Sequence, residues 1–304
     1  MRTPLRAYLF FLTAVGLWAS TPTVADSLFE GDLPVLVVLT ASGSIALATL
    51  FIMVGAAGRL VEVRTYAAGD WLKIAGTGLV GIFGYSFFYM LAFSLAPPAE
   101  VNVVNYLWPI FLVLFAGPVL GERLDGWMWL GVGLSFLGAA GIFTQWRWDT
   151  LETENLPGYA SAAAGAVCWG LFSVVGKRLR YDKIVAMAFY WLVATVVFAA
   201  ALARTGAARW PSPTEWLQLA FLGVFVHGIG NTAWFLALAR GPTALFSSLV
   251  YVTPFLSLVY LRIFRGTELT KGVWLALVLI VAGCLISLNR AARKPTGRDA
   301  QEAQ

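Results

Sequence analysis

Asn102, Asn105, Tyr106 and Pro109 fall at i, i+3, i+4 and i+7, the spacing that lines side chains along one stripe of a helix. The stripe sits in an otherwise apolar stretch. Two amides and a phenol there are costly unless they face a wet cavity or a polar partner. Groups of this kind hold a polar ligand by hydrogen bonds rather than by charge. The stripe returns in the second half of the chain as Ser247, Val250, Tyr251 and Pro254, displaced by 145 positions. Pro97, Ala99 and Leu91-Ala92 return in the same register as Pro242, Ala244 and Leu236-Ala237. Polar glue between packed helices is the alternative use of such residues. Their coincidence with a long internal repeat favours a cavity wall, because repeated halves place binding sites between them.

Aromatic rings mark further faces. Trp18 shares a stripe with Thr21 and Pro22, Trp169 with Phe172 and Ser173, and Tyr85 precedes Tyr89 by four residues. His227, Asn231 and Trp234 form another such set, and Tyr89 and Trp234 are again 145 apart. Rings beside glycines, hydroxyls and amides describe either close packing or room for a flat ligand, and four helices sharing the pattern favour the second. His227 is an ionisable residue inside an apolar stretch, open to ligand contact, proton coupling or a bond to a carbonyl. Glu100, two residues after Pro98, reads as structural, since a carboxylate in the first turn is favoured by the helix dipole. Pro22, Pro109 and Pro254 read as mid-helix prolines that free carbonyls and could act as hinges.

What is missing narrows the chemistry. No Lys or Arg lies at mid-depth in an apolar stretch, as an anion site would want. No Asp or Glu lies at mid-depth in the first stretch, as a cationic ligand would want. The single histidine excludes a His-rich metal site and has no acidic partner at i±3 or i±4. No Ser or Cys sits in a nucleophile elbow, so no enzyme is expected, and no cofactor. Cys168 and Cys284 lie in apolar stretches and read as packing residues. A zwitterion, net uncharged, fits a polar cavity rich in rings.

These residues need a membrane to position them. The chain has 304 residues, of which 59% are hydrophobic and 12% charged, against about 25% charged in soluble proteins. Ten helix-length apolar stretches follow, at 6–25, 33–57, 70–93, 98–116, 125–146, 156–178, 183–203, 214–238, 242–263 and 268–289. Five fall in each half. An odd number makes the second half enter the bilayer from the opposite side, an inverted repeat with the site between the halves. The divisions are 1–146, 147–289 and a polar tail, 290–304. Arg2, Arg6 and Thr23-Val24-Ala25 also fit a cleavable signal peptide. Cleavage would break the five-plus-five symmetry and discard Trp18, so a retained span is expected. With the N-terminus in the cytoplasm, 15 of the 21 Lys and Arg face inward and 6 outward, as positive-inside orientation requires. The basic residues sit at helix ends, not on a face suited to nucleic acid. Ten helices can enclose a cavity alone, so a monomer is expected.

Pro109-Ile-Phe, the turn Leu120-Gly121-Glu122-Arg123-Leu124 and the glycines from Gly131 to Gly141 together resemble the drug/metabolite transporter superfamily, EamA-like branch. The second copy is looser, with Gly266-Thr267-Glu268 and Leu269 in place of Arg. The resemblance is strongest to bacterial exporters of aromatic amino acids. It implies ten helices around a central cavity, an inner-membrane location and export by alternating access. The expected substrates are amino acids, preferentially phenylalanine, tyrosine and tryptophan, moved by facilitated diffusion. Export of another neutral metabolite or drug, with or without proton coupling, is the alternative. Trp18, Tyr85, Tyr89, Trp169 and Trp234 would pack the side chain. Asn102, Asn105, Tyr106, His227, Asn231, Ser247 and Tyr251 would meet its polar ends.

Both termini are expected in the cytoplasm. Alkaline phosphatase fused to either end should be inactive, and a fluorescent protein there bright; active phosphatase at both ends would reverse the orientation.

Overall fold

A computed structural model describes residues 2–21, 23–24, 28, 32–122, 125–150, 153–206, 209–266 and 271–293. Pro22, Arg123, Thr267 to Leu269 and the tail from 294 lie outside them. Among the described residues, nine helices are long and apolar enough to cross a membrane, and Leu5–Ala19 is a shorter apolar helix before them. We number the spans α1 (Arg2–Ala19), α2 (Val35–Ala56), α3 (Ala68–Phe93), α4 (Glu100–Leu120), α5 (Gly126–Thr144), α6 (Leu156–Arg178), α7 (Lys183–Thr205), α8 (Pro213–Leu238), α9 (Thr243–Phe264) and α10 (Lys271–Arg293). No strand occurs among the described residues.

Local chemistry sets the ends. Asp125 accepts from Met128 N at 3.0 Å to start α5, and Asp182 accepts from Ile184 N and Val185 N to start α7. Ser212 and Glu215 form a reciprocal capping box at α8. Gly121 (φ 71°) ends α4 and Gly266 (φ 72°) ends α9, both left-handed and 145 positions apart. The helix stop is thus shared by the two halves even where the residues after it diverge. At the α2–α3 and α6–α7 connections, Tyr181 donates to Asp70 at 2.8 Å and Asp182 N to Tyr66 at 3.0 Å. Burial and the bond to Asp70 push the Tyr181 phenol up to about 12, so it stays a neutral donor at physiological pH.

Two departures from regular α-helix occur at matched places. The middle of α3 widens into a π-helical stretch at Leu79–Gly84, and that of α8 at Leu222–Gly230. A shift of 145 carries the first inside the second. The fourth and ninth spans are broken: Pro98–Asn105 is followed by Trp108–Leu120, and Thr243–Leu249 by Val252–Arg265. This corrects the expectation of mid-helix prolines. Pro109 is the second residue of its half-helix and Pro254 the third of its own. A first-turn N–H has no partner within the helix, so proline costs little there. The chain breaks ahead of the proline instead of kinking at it.

Packing shows how the halves are related. Gly131 on α5 meets Gly283 on α10, while Gly138 meets Ala276. Ala276 and Gly283 are the repeat positions of Gly131 and Gly138, so the contacts are exchanged between copies, as an antiparallel pair about a two-fold axis requires. Residues on such an axis touch their own images. Ser135 Oγ lies 3.4 Å from Ile280 O, and Tyr251 donates to Tyr106 O at 3.0 Å; both pairs are 145 apart. The other contacts follow the same rule: α1 packs on the second part of α8 as α6 packs on that of α3, and α2 crosses α8 as α7 crosses α3.

A Cβ at Gly283 would collide with Gly131 O and Ser135 Oγ. Gly283→Leu is therefore expected to destabilise the protein by about 1–3 kcal/mol, read as a lower thermal midpoint in detergent. Gly126→Ala, where a Cβ meets nothing, should leave the midpoint unchanged.

Candidate functional site

A cavity of about 440 Å³ lies between the halves, bounded by α1, α3 to α9. Its wall holds Trp18, Tyr85, Tyr89, Asn102, Asn105, Tyr106, Trp169, His227 and Asn231, nine of the twelve side chains expected from the sequence, and the hinge candidate Pro254. The remaining three stand behind it. Trp234 is fully buried and donates to Ser173 Oγ at 3.1 Å. Ser247 is fully buried and donates to Thr243 O at 2.9 Å. Tyr251 is fully buried with its hydroxyl on Tyr106 O. Pro109 is buried away from the cavity, and Pro22 lies outside the described residues. Glu100 is also away from the cavity, accepting from Asn155 Nδ2 at 3.2 Å and from the Tyr159 hydroxyl, as its first-turn position suggested.

The wall divides into a ring-lined floor and a polar flank. Trp18 meets Trp108, Trp169 and Trp234 with ring centroids 6.3, 5.9 and 5.4 Å away. Tyr85 lies 5.0 Å from Trp169 and stacks on Tyr89 at 5.4 Å. Below this floor α1 is packed solid: Phe11 stacks on Phe246 at 4.9 Å, and Tyr8 meets the same ring edge-on. Further down, Lys177 Nζ bonds Glu122 at 2.8 Å, Thr243 Oγ1 at 2.7 Å and Gly241 O at 3.1 Å, joining α6 to the turns after α4 and α8. That end is closed. In the opposite direction the lining runs through Thr21, Phe143, Ser257 and Leu258 to Leu261, towards the face at which α1, α5 and α9 end.

Several polar groups of the wall are already paired. Trp18 Nε1 donates to Asn231 Oδ1 at 2.9 Å, and the Tyr89 hydroxyl to Asn102 Oδ1 at 2.5 Å. Asn105 Nδ2 donates to the Tyr85 hydroxyl at 3.4 Å. The two wide turns position this flank: Tyr85 follows the first, His227 lies within the second and Asn231 ends it. π-helical turns inside α-helices are frequent at functional sites. The wall carries no Lys, Arg, Asp or Glu among the described residues. Burial in such surroundings strengthens each hydrogen bond and penalises each unpaired charge. The arrangement can enclose a flat, net-neutral molecule with hydrogen-bonding ends.

Sequence reasoning missed Trp108, Trp191, Ser86, Thr253 and Ser257, which also line the cavity. Trp108 and Thr253 stand 145 apart and each precedes its half's proline, so the repeat register could have found them. Trp191 had no such signal.

The profile of the EamA-like transporter family matches residues 5–144 and 156–289. The aromatic amino acid exporter YddG of Ancylobacter novellus is 34% identical over 71% of this chain and 76% of its own. The threonine/homoserine exporter RhtA of Salmonella typhimurium is 27% identical over 86% of this chain and 94% of its own. A solved crystal structure, 30% identical, superposes with a TM-score of 0.85 over 95% of this chain and 99% of that one.

Trp18→Phe would leave Asn231 Oδ1, on a residue 5% exposed, without its donor, a cost of about 1–3 kcal/mol. Combining it with Asn231→Leu should recover part of that loss, giving non-additive melting shifts; additive shifts would mean the bond contributes nothing.

Proposed function

The chain belongs to the EamA-like transporter family, and on that premise we propose that it exports amino acids, aromatic ones in preference, by alternating access. The observation that carries this reading is the cavity wall: tryptophans and tyrosines interleaved with amides and one imidazole, and no fixed charge. Its volume of about 440 Å³ lies within the range of small-molecule pockets, roughly 300–1,000 Å³. Rings gain by stacking on Trp169, Trp108 and Tyr85. The ammonium and carboxylate ends find neutral hydrogen-bonding groups that hold a zwitterion without trapping it. The relatives support the reading: one is named for aromatic amino acids and one for threonine and homoserine, and the rings of this wall favour the first.

In this reading the halves 1–146 and 147–289 move against each other, with both termini in the cytoplasm of a bacterial inner membrane. The face reached by Leu261 is then the outer one, and the Lys177–Glu122–Thr243 cluster is the closed cytoplasmic side. The breaks ahead of Pro109 and Pro254 supply the swing. Opening must separate α6 from the turns after α4 and α8. Among the described residues no carboxylate lines the wall to carry a proton, so facilitated diffusion is the simplest energetics. A single chain encloses the whole site, which suits a monomer.

Uptake of labelled phenylalanine into proteoliposomes tests the proposal. Unlabelled tryptophan should suppress the flux, threonine should compete weakly, and a pH gradient should not change it. Trp169→Ala should raise the half-saturation concentration about tenfold through lost ring contacts, and Asn102→Ala should lower flux with insertion intact. Flux no greater than in empty liposomes, with every amino acid tried, would sink it.

A further inference from the structure

At the closed end of the cavity Lys177 is satisfied completely. An ammonium has three N–H donors, and here each has its own acceptor: Glu122 Oε1, Thr243 Oγ1 and Gly241 O. The Thr243 hydroxyl donates in turn to the same Glu122 oxygen at 2.6 Å. Glu122, from the first half, is thus the acceptor on which two side chains of the second half converge. The ion pair is largely shielded, with 19% of the Lys177 side chain and 26% of the Glu122 side chain exposed, so salt screens it less than a surface pair. A network in which every donor is answered holds more firmly than its pairs taken singly. One other bond crosses from α6 to α4 at this end, from the exposed Arg178 to Val119 O. The bonds of Tyr181 to Asp70, and of Asp182 to Tyr66 and Arg59, tie the end of α6 to the α2–α3 connection instead.

The repeat shows what stands at the equivalent place on the opposite face. Tyr85 meets the Trp169 ring at 5.0 Å, and its repeat position, Gly230, has Trp18 Nε1 3.4 Å from where a Cβ would stand. Trp18 of α1 therefore corresponds to Trp169 of α6, a shift of 151 positions for this pair of helices. On that register the image of Lys177 is Asp26. At 145 positions the images of Glu122, Gly241 and Thr243 are Thr267, Ala96 and Pro98. A carboxylate takes the place of the ammonium, a second one, Glu268, follows Thr267, and proline replaces the bridging hydroxyl. These positions cannot build the same network.

We propose that Lys177, Glu122 and Thr243 form a one-sided latch that makes the outward-open state the resting state of the transporter. The inward-open state has no matching latch on the outer face and stays the minor one. This rests on the proposed function and deepens it by naming what regulates the site. Affinity measured from one face falls in proportion to the fraction of protein open to that face. An amino acid in the cytoplasm therefore meets a weakened site and leaves only when it is abundant. The latch turns the exporter into an overflow valve.

Spin labels on Gly126→Cys, at the start of α5, and Arg180→Cys, past the end of α6, both exposed, report the gap across the closed end once Cys168 and Cys284 are replaced by alanine. In the ligand-free full chain in lipid nanodiscs, a longer distance should make up less than about a tenth of the population. Glu122→Gln should raise that share about fivefold. Thr243→Val, which removes the bridging hydroxyl, should raise it more weakly, and decides if Glu122→Gln does not fold. Glu62→Gln, whose partner Arg59 lies in the same connection, should leave it unchanged. Distances that neither latch variant alters would overturn the latch, as would a longer distance that already dominates in the otherwise unaltered protein. In vesicles of known orientation, Glu122→Gln should lower the half-saturation concentration of labelled phenylalanine about fivefold at the cytoplasmic face. A fall at the outer face instead would overturn the assignment of sides, and no fall at either face would overturn the valve. If the distances shift as expected while no amino acid is carried, the latch stands and the proposed substrate falls.

Discussion

A bilayer offers no hydrogen bond, so every interruption of a spanning helix must be answered from inside the protein. The rest of this structure depends on how one such interruption answers another. The fourth and ninth spans both break one turn ahead of a proline, and the Tyr251 hydroxyl reaches across to Tyr106 O. One break thus satisfies the other, at a point where a residue meets its own image in the repeat. The Ser135–Ile280 contact marks a second such point. Glycines on α5 and α10 let the backbones between them approach closely enough to share the axis. The cavity is then a consequence of symmetry: the broken helices, the wide turns of α3 and α8 and the tryptophans of α1 and α6 all converge on it.

The two halves have the same order of elements and different packing, and that difference gives the cavity its mouth. Against α4, α6 fits tightly. A Cβ on Gly170 would lie 2.9 Å from Phe111 Cβ. The same pair is fastened at one end by Glu100 with Asn155 and Tyr159, and near the other by Arg178 on Val119 O at 2.7 Å. The image pair, α1 and α9, is looser: the nearest atom to a Cβ on Gly16 is the Tyr260 hydroxyl, 3.9 Å away. A pair of repeats that packed identically on both sides would have no open face. Here the loose seam lies beside the mouth, and the tight seam runs the length of the molecule.

Much of the cavity wall was legible because the echo at 145 positions is a property of the chain itself. The stripe through Asn102, Asn105 and Tyr106 reaches the cavity as its spacing predicts. Its image divides: Val250 and Pro254 line the cavity, while Ser247 and Tyr251 turn behind it. Helical spacing could not foresee this, because it assumes an unbroken helix. Trp234 illustrates a second limit. It shares a register with Tyr89, but Trp18 and Trp108 stand in front of it, and no local pattern says which of two facing rings is nearer the centre.

The sequence by itself determined the membrane, the number of spans and their division into two related sets of five. Apolar length, basic asymmetry and a repeated register act along the chain and need no neighbour to be read. Only the tertiary structure decided where the prolines fall relative to the helix breaks and which polar groups are already paired. It alone brought Trp191 of α7 to the wall with its N–H unanswered. These are questions of distance between helices far apart in sequence. A hydrogen bond such as Trp18 to Asn231 exists only once packing has brought its two ends within reach.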